Sequence, residues 1–309
     1  MKILFDNPIS FPGLGIDSID PPNGFQPFKI FGIDFEVKFY GLIIAIGLLL
    51  AVIYSIKRSK EFGLTSDNII DVVLVGVPCA IVGARLYYVI LYGTPFNQWL
   101  SIRDGGLAIY GGLIGAVLGV GVFSLFSRER RRRFLPSADL AGLGFLIGQS
   151  IGRWGNFFNR EAFGSYCDNF LAMRIPQSCI NADNPALAEL KQKAIEGGYE
   201  GFIQVHPTFL YESLWNVVGL VIFHFLSKKR RFDGQVFLYY LGWYGLGRFF
   251  IEGLRTDSLM SGSLRTSQVV GLGCFIVSVA ILVYALVFKK PDPAKMLVNS
   301  VTSKPETEE

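Results

Sequence analysis

Long apolar runs, separated by short connections that alternate in charge, set the pattern of this chain. A helix needs about 20 mostly apolar residues to cross a hydrocarbon layer of roughly 30 Å. Seven stretches have that character: 39–56, 69–91, 107–127, 135–157, 208–227, 235–253 and 268–288. Each is interrupted by glycine or a polar residue. That suits helices packed through small side chains, as in Gly111-Gly112-x-x-Gly115 and Gly142-x-Gly144. The expected fold class is an all-α polytopic membrane protein with about seven transmembrane helices in one integrated domain, 39–288.

The connections predict its orientation. Lys57, Arg58 and Lys60 follow the first run, and Arg128-Glu129-Arg130-Arg131-Arg132-Arg133 follows the third. Lys228-Lys229-Arg230-Arg231 follows the fifth, and Lys289 and Lys290 follow the seventh. Every second connection is basic, which marks the cytoplasmic side. The N-terminus is then outside, as a retained extracytoplasmic segment 1–38, and the C-terminus is cytoplasmic. Segment 1–38 has no apolar core of signal-peptide length and no small-x-small cleavage site. Residues 165–204 form an extracytoplasmic insertion with a short surface helix expected at 186–195. The polar tail 289–309 lacks periodicity beyond 291 and is expected to be disordered.

Composition agrees. Of 309 residues, 51% are hydrophobic and only 17% charged, whereas a soluble domain carries about 25% charged residues. The net charge of +4 lies in blocks between apolar runs, so it reads as membrane orientation and not as nucleic-acid binding. Of the four cysteines, Cys79 and Cys274 lie inside apolar runs as core residues. Cys167 and Cys179 lie in the insertion and can pair if the outside is oxidising. No CxxC pair or Cys/His cluster suggests a metal, and no cofactor motif such as a P-loop or dinucleotide fingerprint is present.

The unusual polar residues fall at one depth. The fourth run leads into Gly152-Arg153-Trp154-Gly155-Asn156-Phe157-Phe158-Asn159-Arg160-Glu161-Ala162-Phe163-Gly164. An interfacial anchor of Trp and Arg does not require Asn156, Asn159 and Glu161 at helical spacing from Arg153. Tyr244, Arg248, Glu252 and Arg255 end the sixth run at spacings that share one helix face. Arg85 lies in the outer half of the second run, His206 and Glu212 open the fifth, Tyr110 opens the third and Tyr40 the first. An i,i+4 pair of Arg248 with Glu252 is the plain structural alternative, but it leaves Arg85, Arg153 and Arg255 unexplained. Charged groups near hydrocarbon are costly unless paired or facing a wet cavity. An arginine surplus there calls for an anion, and guanidinium grips phosphate in a bidentate fork. A phospholipid headgroup supplies that phosphate. The amides of Asn156 and Asn159 can donate to ester or hydroxyl oxygens, and Gly152, Gly155 and Gly164 permit close approach. No Ser-His-Asp arrangement or Gly-x-Ser-x-Gly elbow supports acyl transfer.

These residues resemble the bacterial prolipoprotein diacylglyceryl transferase family. The stretch 152–164 is similar to that family's signature. Tyr40-Gly41, the 105–112 segment, His206-Pro207-Thr208-x-Leu210-Tyr211-Glu212 and Tyr244-x-x-x-Arg248-x-x-x-Glu252-x-x-Arg255 match in order, and the resemblance covers roughly 38–288. It implies a seven-span enzyme of the bacterial inner membrane with its active site toward the outer leaflet. The implied reaction moves the diacylglyceryl group of phosphatidylglycerol to the lipobox cysteine in the signal peptide of a prolipoprotein. A thioether and glycerol 1-phosphate are the products, and the bilayer is the third partner. Two features depart from the pattern. Many members carry histidine where Tyr110 stands, and the 165–204 loop is longer than usual.

The expected roles follow. Arg153 and Arg248 clamp the phosphate as its charge grows, and their fields lower the pKa of a bound thiol. Glu161 and Glu252 orient the arginines. Asn156, with Asn159, Gly164 and Tyr244, positions the headgroup, and Arg255 and Arg85 are further electrostatic partners. Tyr110, Tyr40 or His206 relays the proton, and the sequence does not choose among them. The rival readings are a lipid or anion transporter using the same arginines and a structural membrane subunit. A transporter should show broken helices and an internal repeat, and no repeat is evident.

Overall fold

The computed structural model describes residues 2–4, 8–30, 33–95, 99, 106–180, 184, 186–256, 260–261 and 264–302. Asp104 and Gly105 of the glycine-rich segment and the last residues of the tail, 303–309, lie outside the described residues.

The molecule is mostly helical. The apolar runs become α1 (Phe39–Arg58), α2 (Ser66–Tyr92), α3 (Ile109–Leu125), α4 (Arg128–Asn159), α6 (Thr208–Leu226), α7 (Gln235–Glu252) and α8 (Thr266–Val283). The insertion supplies α5 (Leu187–Glu196) at the predicted surface helix. Among the described residues five helices are long and apolar enough to cross a membrane: α1, α2, α4, α6 and α8. The α3 helix is apolar but has 17 residues, and α7 carries Arg248 and Glu252 within its 18 residues. Leu49, Leu74, Leu118 and Val277 are more than half exposed, as side chains that meet lipid would be.

Two differences from the sequence reading have local causes. The basic run 128–133 is the start of α4 and not a bare connection. Ser127 Oγ accepts from Arg130 N at 3.0 Å, and Glu129 pairs with Arg133 one turn on. Arginine is also a good helix former. The tail begins as ordered structure. Leu297–Thr302 form a short helix, α9, anchored by buried Met296 and Leu297 and by Leu297 N donating to Asp233 Oδ2 at 2.8 Å. Two apolar anchors and one carboxylate suffice where no periodicity is visible.

Strands, which the apolar pattern did not announce, build the polar segments. The N-terminal segment gives β1 (Lys2–Leu4), β2 (Ile9–Phe11), β3 (Ile16–Ile19), β4 (Gly24–Ile30) and β5 (Ile33–Lys38), and the insertion gives β6 (Met173–Pro176) and β7 (Phe202–Val205). One sheet runs β1-β4-β5 and another β3-β2-β6-β7. Strand alternation places Ile9, Phe11, Met173, Ile175, Ile203 and Val205 on the inner face of the second sheet. There they form one core with Leu190 of α5 and with Phe157, Phe163 and Phe209. No disulfide joins Cys167 to Cys179.

Contacts divide the chain into two compact units: 1–51, 143–227 and 238–290 in the first, 52–142, 228–237 and 291–309 in the second. In the second, α2 and α3 meet through glycine. A Cβ on Gly83 would strike the Gly111 carbonyl, and one on Gly115 would strike that of Cys79. This is the small-residue packing expected for the Gly111–Gly115 pattern.

Candidate functional site

Within the first unit, three helices are locked before any charge is considered. Trp215 of α6 and Trp243 of α7 stack at 4.1 Å. Each indole N–H donates to the other's backbone carbonyl, at 3.1 and 3.0 Å. Gly247 and Gly219 receive the two indoles, with no room for a Cβ. Ser213 Oγ ties α6 to α4 by donating to Ser150 O at 2.9 Å and accepting from Trp154 Nε1 at 3.3 Å. Trp154 and Phe157 of α4 also pack on Phe209 of α6.

That lock sets Glu212 between two arginines. Its Oε2 lies 2.6 Å from Arg153 Nη2 of α4 and 3.6 Å from Arg248 Nη1 of α7. Arg248 Nη2 lies 2.7 Å from Glu252 Oε2, one turn along α7. The carboxylates are buried, at 7% and 4% side-chain exposure, while Arg153 and Arg248 keep 23% and 15%. The four groups are formally neutral together. Arg265 donates to the backbone carbonyls of Glu252 and Arg255 at 2.7 and 2.6 Å. Glu212 Oε1 is buried without a hydrogen-bond partner among the described residues.

A second layer follows α4 to its end. Arg153 Nη1 donates to Asn156 Oδ1 at 3.4 Å. Asn156 and Asn159 both donate to Glu161 Oε1, at 3.0 and 3.3 Å. Glu161 thus reaches Arg153 through an amide, and Glu252 touches Arg248 directly. The chain turns back after Asn159 because Arg160 and Ala162 take left-handed φ values of 53° and 57°. Such values are costly for residues with a Cβ. Arg160 is the second arginine of the stretch, and it is 3% exposed. It donates to Asp20 Oδ1, Asn23 Oδ1 and the carbonyls of Pro21 and Phe158 at 2.6–2.8 Å. One signature arginine therefore faces the carboxylate cluster, and the other clamps the N-terminal segment.

The remaining predicted residues separate clearly. The Tyr40 ring lies on Gly155, where a Cβ would come within 2.7 Å of it. Gly164 sits between His206 and Leu254 and donates its N–H to His206 O at 3.0 Å, whereas Gly152 has open space beside it. Tyr244 stacks on Tyr240 at 6.0 Å. His206 Nδ1 is 3.2 Å from the Tyr211 hydroxyl, and burial lowers its pKa below the ordinary histidine value. Arg85 and Tyr110 belong to the second unit. There Arg85 is buried and donates to the carbonyls of Trp99 and Gly106 at 3.0 and 2.9 Å, while Tyr110 is exposed. Glu212 is the residue that sequence reasoning undervalued. Its place between Arg153 and Arg248 comes from the packing of α4, α6 and α7, which spacing along the chain does not carry. Among the described residues no group of His, Cys, Asp and Glu could hold a metal.

Comparison with known proteins gives the family. The family model described as prolipoprotein diacylglyceryl transferase matches residues 28–284. A Bacillus cereus protein named phosphatidylglycerol–prolipoprotein diacylglyceryl transferase is 44% identical over 255 residues, covering 81% of this chain and 88% of its own. A Clostridium novyi protein of the same name is 44% identical over 260 residues, covering 83% and 93%. The chain belongs to the prolipoprotein diacylglyceryl transferase family.

Proposed function

We propose that this protein transfers the diacylglyceryl group of phosphatidylglycerol to the lipobox cysteine of prolipoproteins, the first step of lipoprotein maturation. The observation that carries the activity is the family match across 28–284. The carboxylate-held arginine pair supports the roles assigned within it. In the reaction a cysteine thiolate attacks the glyceryl carbon. The carbon–oxygen bond to phosphate breaks, and glycerol 1-phosphate leaves with one added negative charge.

In this reading Arg153 and Arg248 bind the phosphate through the guanidinium edges left exposed. Glu212 fixes the spacing between them, and Glu252 and the Asn156–Glu161 pair hold their orientation. Pre-set donors aimed at growing charge are the largest single source of rate in such sites. A free thiol has a pKa near 8.5, and the two guanidinium groups favour its ionised form. Tyr40 and Asn159 bound the headgroup side; Gly164, Tyr244 and Arg255 position the residues around it. His206 completes the proposed set as a proton-relay partner.

The proposed topology is seven spans in the inner membrane, with the strands of 1–38 and the 165–204 insertion outside. The basic residues at the end of α1, at the start of α4 and just after α6 and α8 support it. A transporter would bind the same phosphate but release the lipid intact. Purified protein incubated with labelled phosphatidylglycerol and a lipobox peptide distinguishes the two: transfer yields a lipidated peptide and free glycerol phosphate. Absence of both products refutes the reading.

A further inference from the structure

Among the described residues the insertion 165–204 supplies no side chain to the ion-pair cluster of Arg153, Glu212, Arg248 and Glu252, yet it builds half of a four-stranded sheet. The outer face of that sheet is the one turned from the core. Ser10 stands opposite Arg174 across β2 and β6, and Arg174 stands opposite Gln204 across β6 and β7. A cavity of about 520 Å³ lies there, lined among others by Ser10, Asp17, Arg174, Tyr199, Glu200 and Phe202. That is the volume of a drug-sized ligand.

Arg174 is held for recognition. Its Nε donates to Gln204 Oε1 at 2.9 Å, and its guanidinium lies 4.1 Å over the Tyr199 ring. Gly197 leaves the room that folds Tyr199 back, and Gly198 turns the chain at a φ of 68°. Among the described residues the terminal nitrogens of Arg174 have no hydrogen-bond or ion-pair partner. A stacked guanidinium with both ends open matches a carboxylate bidentately. Asp17 and Glu200 in the lining disfavour a polyanion and accept amide or ammonium donors instead. The mixed lining fits a polypeptide better than an acyl chain or a nucleotide.

The same sheet is continuous with the arginine cluster. β7 runs through His206 and Pro207 into α6, which carries Glu212. Backbone bridges join Tyr166 to Val205 and Gly164 to Arg255. We propose that this cavity holds the polypeptide following the acceptor cysteine of a prolipoprotein, with an acidic side chain in the fork of Arg174. The proposal rests on the transferase reading and adds to it a second recognition point on the protein substrate.

The test compares a prolipoprotein substrate that keeps ten acidic-containing residues after the cysteine with one truncated just beyond it. The wild type is expected to favour the long substrate by about tenfold in kcat/KM, the scale of one charge-assisted pair. Arg174→Ala and Arg174→Glu remove that preference through KM and not kcat. Arg174→Lys, which keeps charge but not the fork, restores it only in part. Direct binding of a fluorescein-labelled peptide of those ten residues gives a readout independent of turnover, and a control peptide with lysine for each acid binds more weakly. A wild type without preference, or variants that keep it, overturns the proposal. Failure to lipidate either substrate, with Arg174-dependent peptide binding intact, sinks the transferase reading and leaves the peptide site standing.

Discussion

Asp139 and Glu212 are both carboxylates buried in helices of this protein, one in each compact unit, and their surroundings are opposite in kind. Asp139 is fully buried and its valences are filled by backbone. Oδ2 accepts from Gly234 N and Oδ1 from Phe237 N, both at 2.8 Å, so it caps the start of α7. Among the described residues Glu212 accepts no backbone N–H from a neighbouring helix. One of its oxygens holds two arginines, and the other has no partner among the described residues. Burial of a charge therefore does not mark a reactive site by itself. A structural carboxylate is saturated by the fold. A working one keeps valence in reserve, beside cations that retain access from outside.

That contrast can be broken at several points. The largest effect is expected from Arg153→Ala or Arg248→Ala, either of which should lower transfer by about 10²–10³-fold, the loss seen on removing one preorganised donor. Labelled glycerol phosphate release measures it, with membrane insertion unchanged. Next comes Glu212→Gln, which leaves two arginines without their shared counter-ion. It is expected to cost on the order of 3 kcal/mol in stability and to reduce transfer, read by unfolding in detergent and by turnover of the folded fraction. Asp139→Asn should affect stability alone. It lowers stability by about 1–3 kcal/mol through a lost acceptor, while turnover per folded molecule stays at the wild-type value.

The smallest effect concerns His206. Its pKa is lowered by burial, so the unfolded chain binds the proton more readily. The stability this contributes is full above the unfolded value of about 6.5 and is lost as pH falls through the folded value. His206→Gln should flatten that part of the pH–stability curve, and an unchanged acid limb would show that the histidine is not the cause.

Much of this arrangement was legible in the sequence, for identifiable reasons. Apolar runs of span length located seven helices within a few residues, because lipid leaves a helix little choice. The Tyr244, Arg248, Glu252 spacing placed a polar stripe on α7 because i,i+4 neighbours share a face. What periodicity could not show depended on contacts between distant segments. Arg153 and Arg160 stand seven residues apart in one motif. Their fates differ because the left-handed turn at Arg160 aims it at Asp20 and Asn23. Glu212 became the hub only once the Trp215–Trp243 lock brought α6 against α7. The strands of 1–38 were hidden because short, two-sided polar strands leave little pattern to read.

The central claim is that Arg153 and Arg248 act on one phosphate as a unit spaced by Glu212. The most direct measurement is a double-mutant cycle on kcat/KM for transfer, with Arg153→Lys, Arg248→Lys and both together. Coupled groups depart from additivity by about 1 kcal/mol or more, so the double variant should be roughly fivefold or more better than the product of the single losses predicts. Strict additivity would mean that the two arginines serve separate tasks, and the account would be wrong.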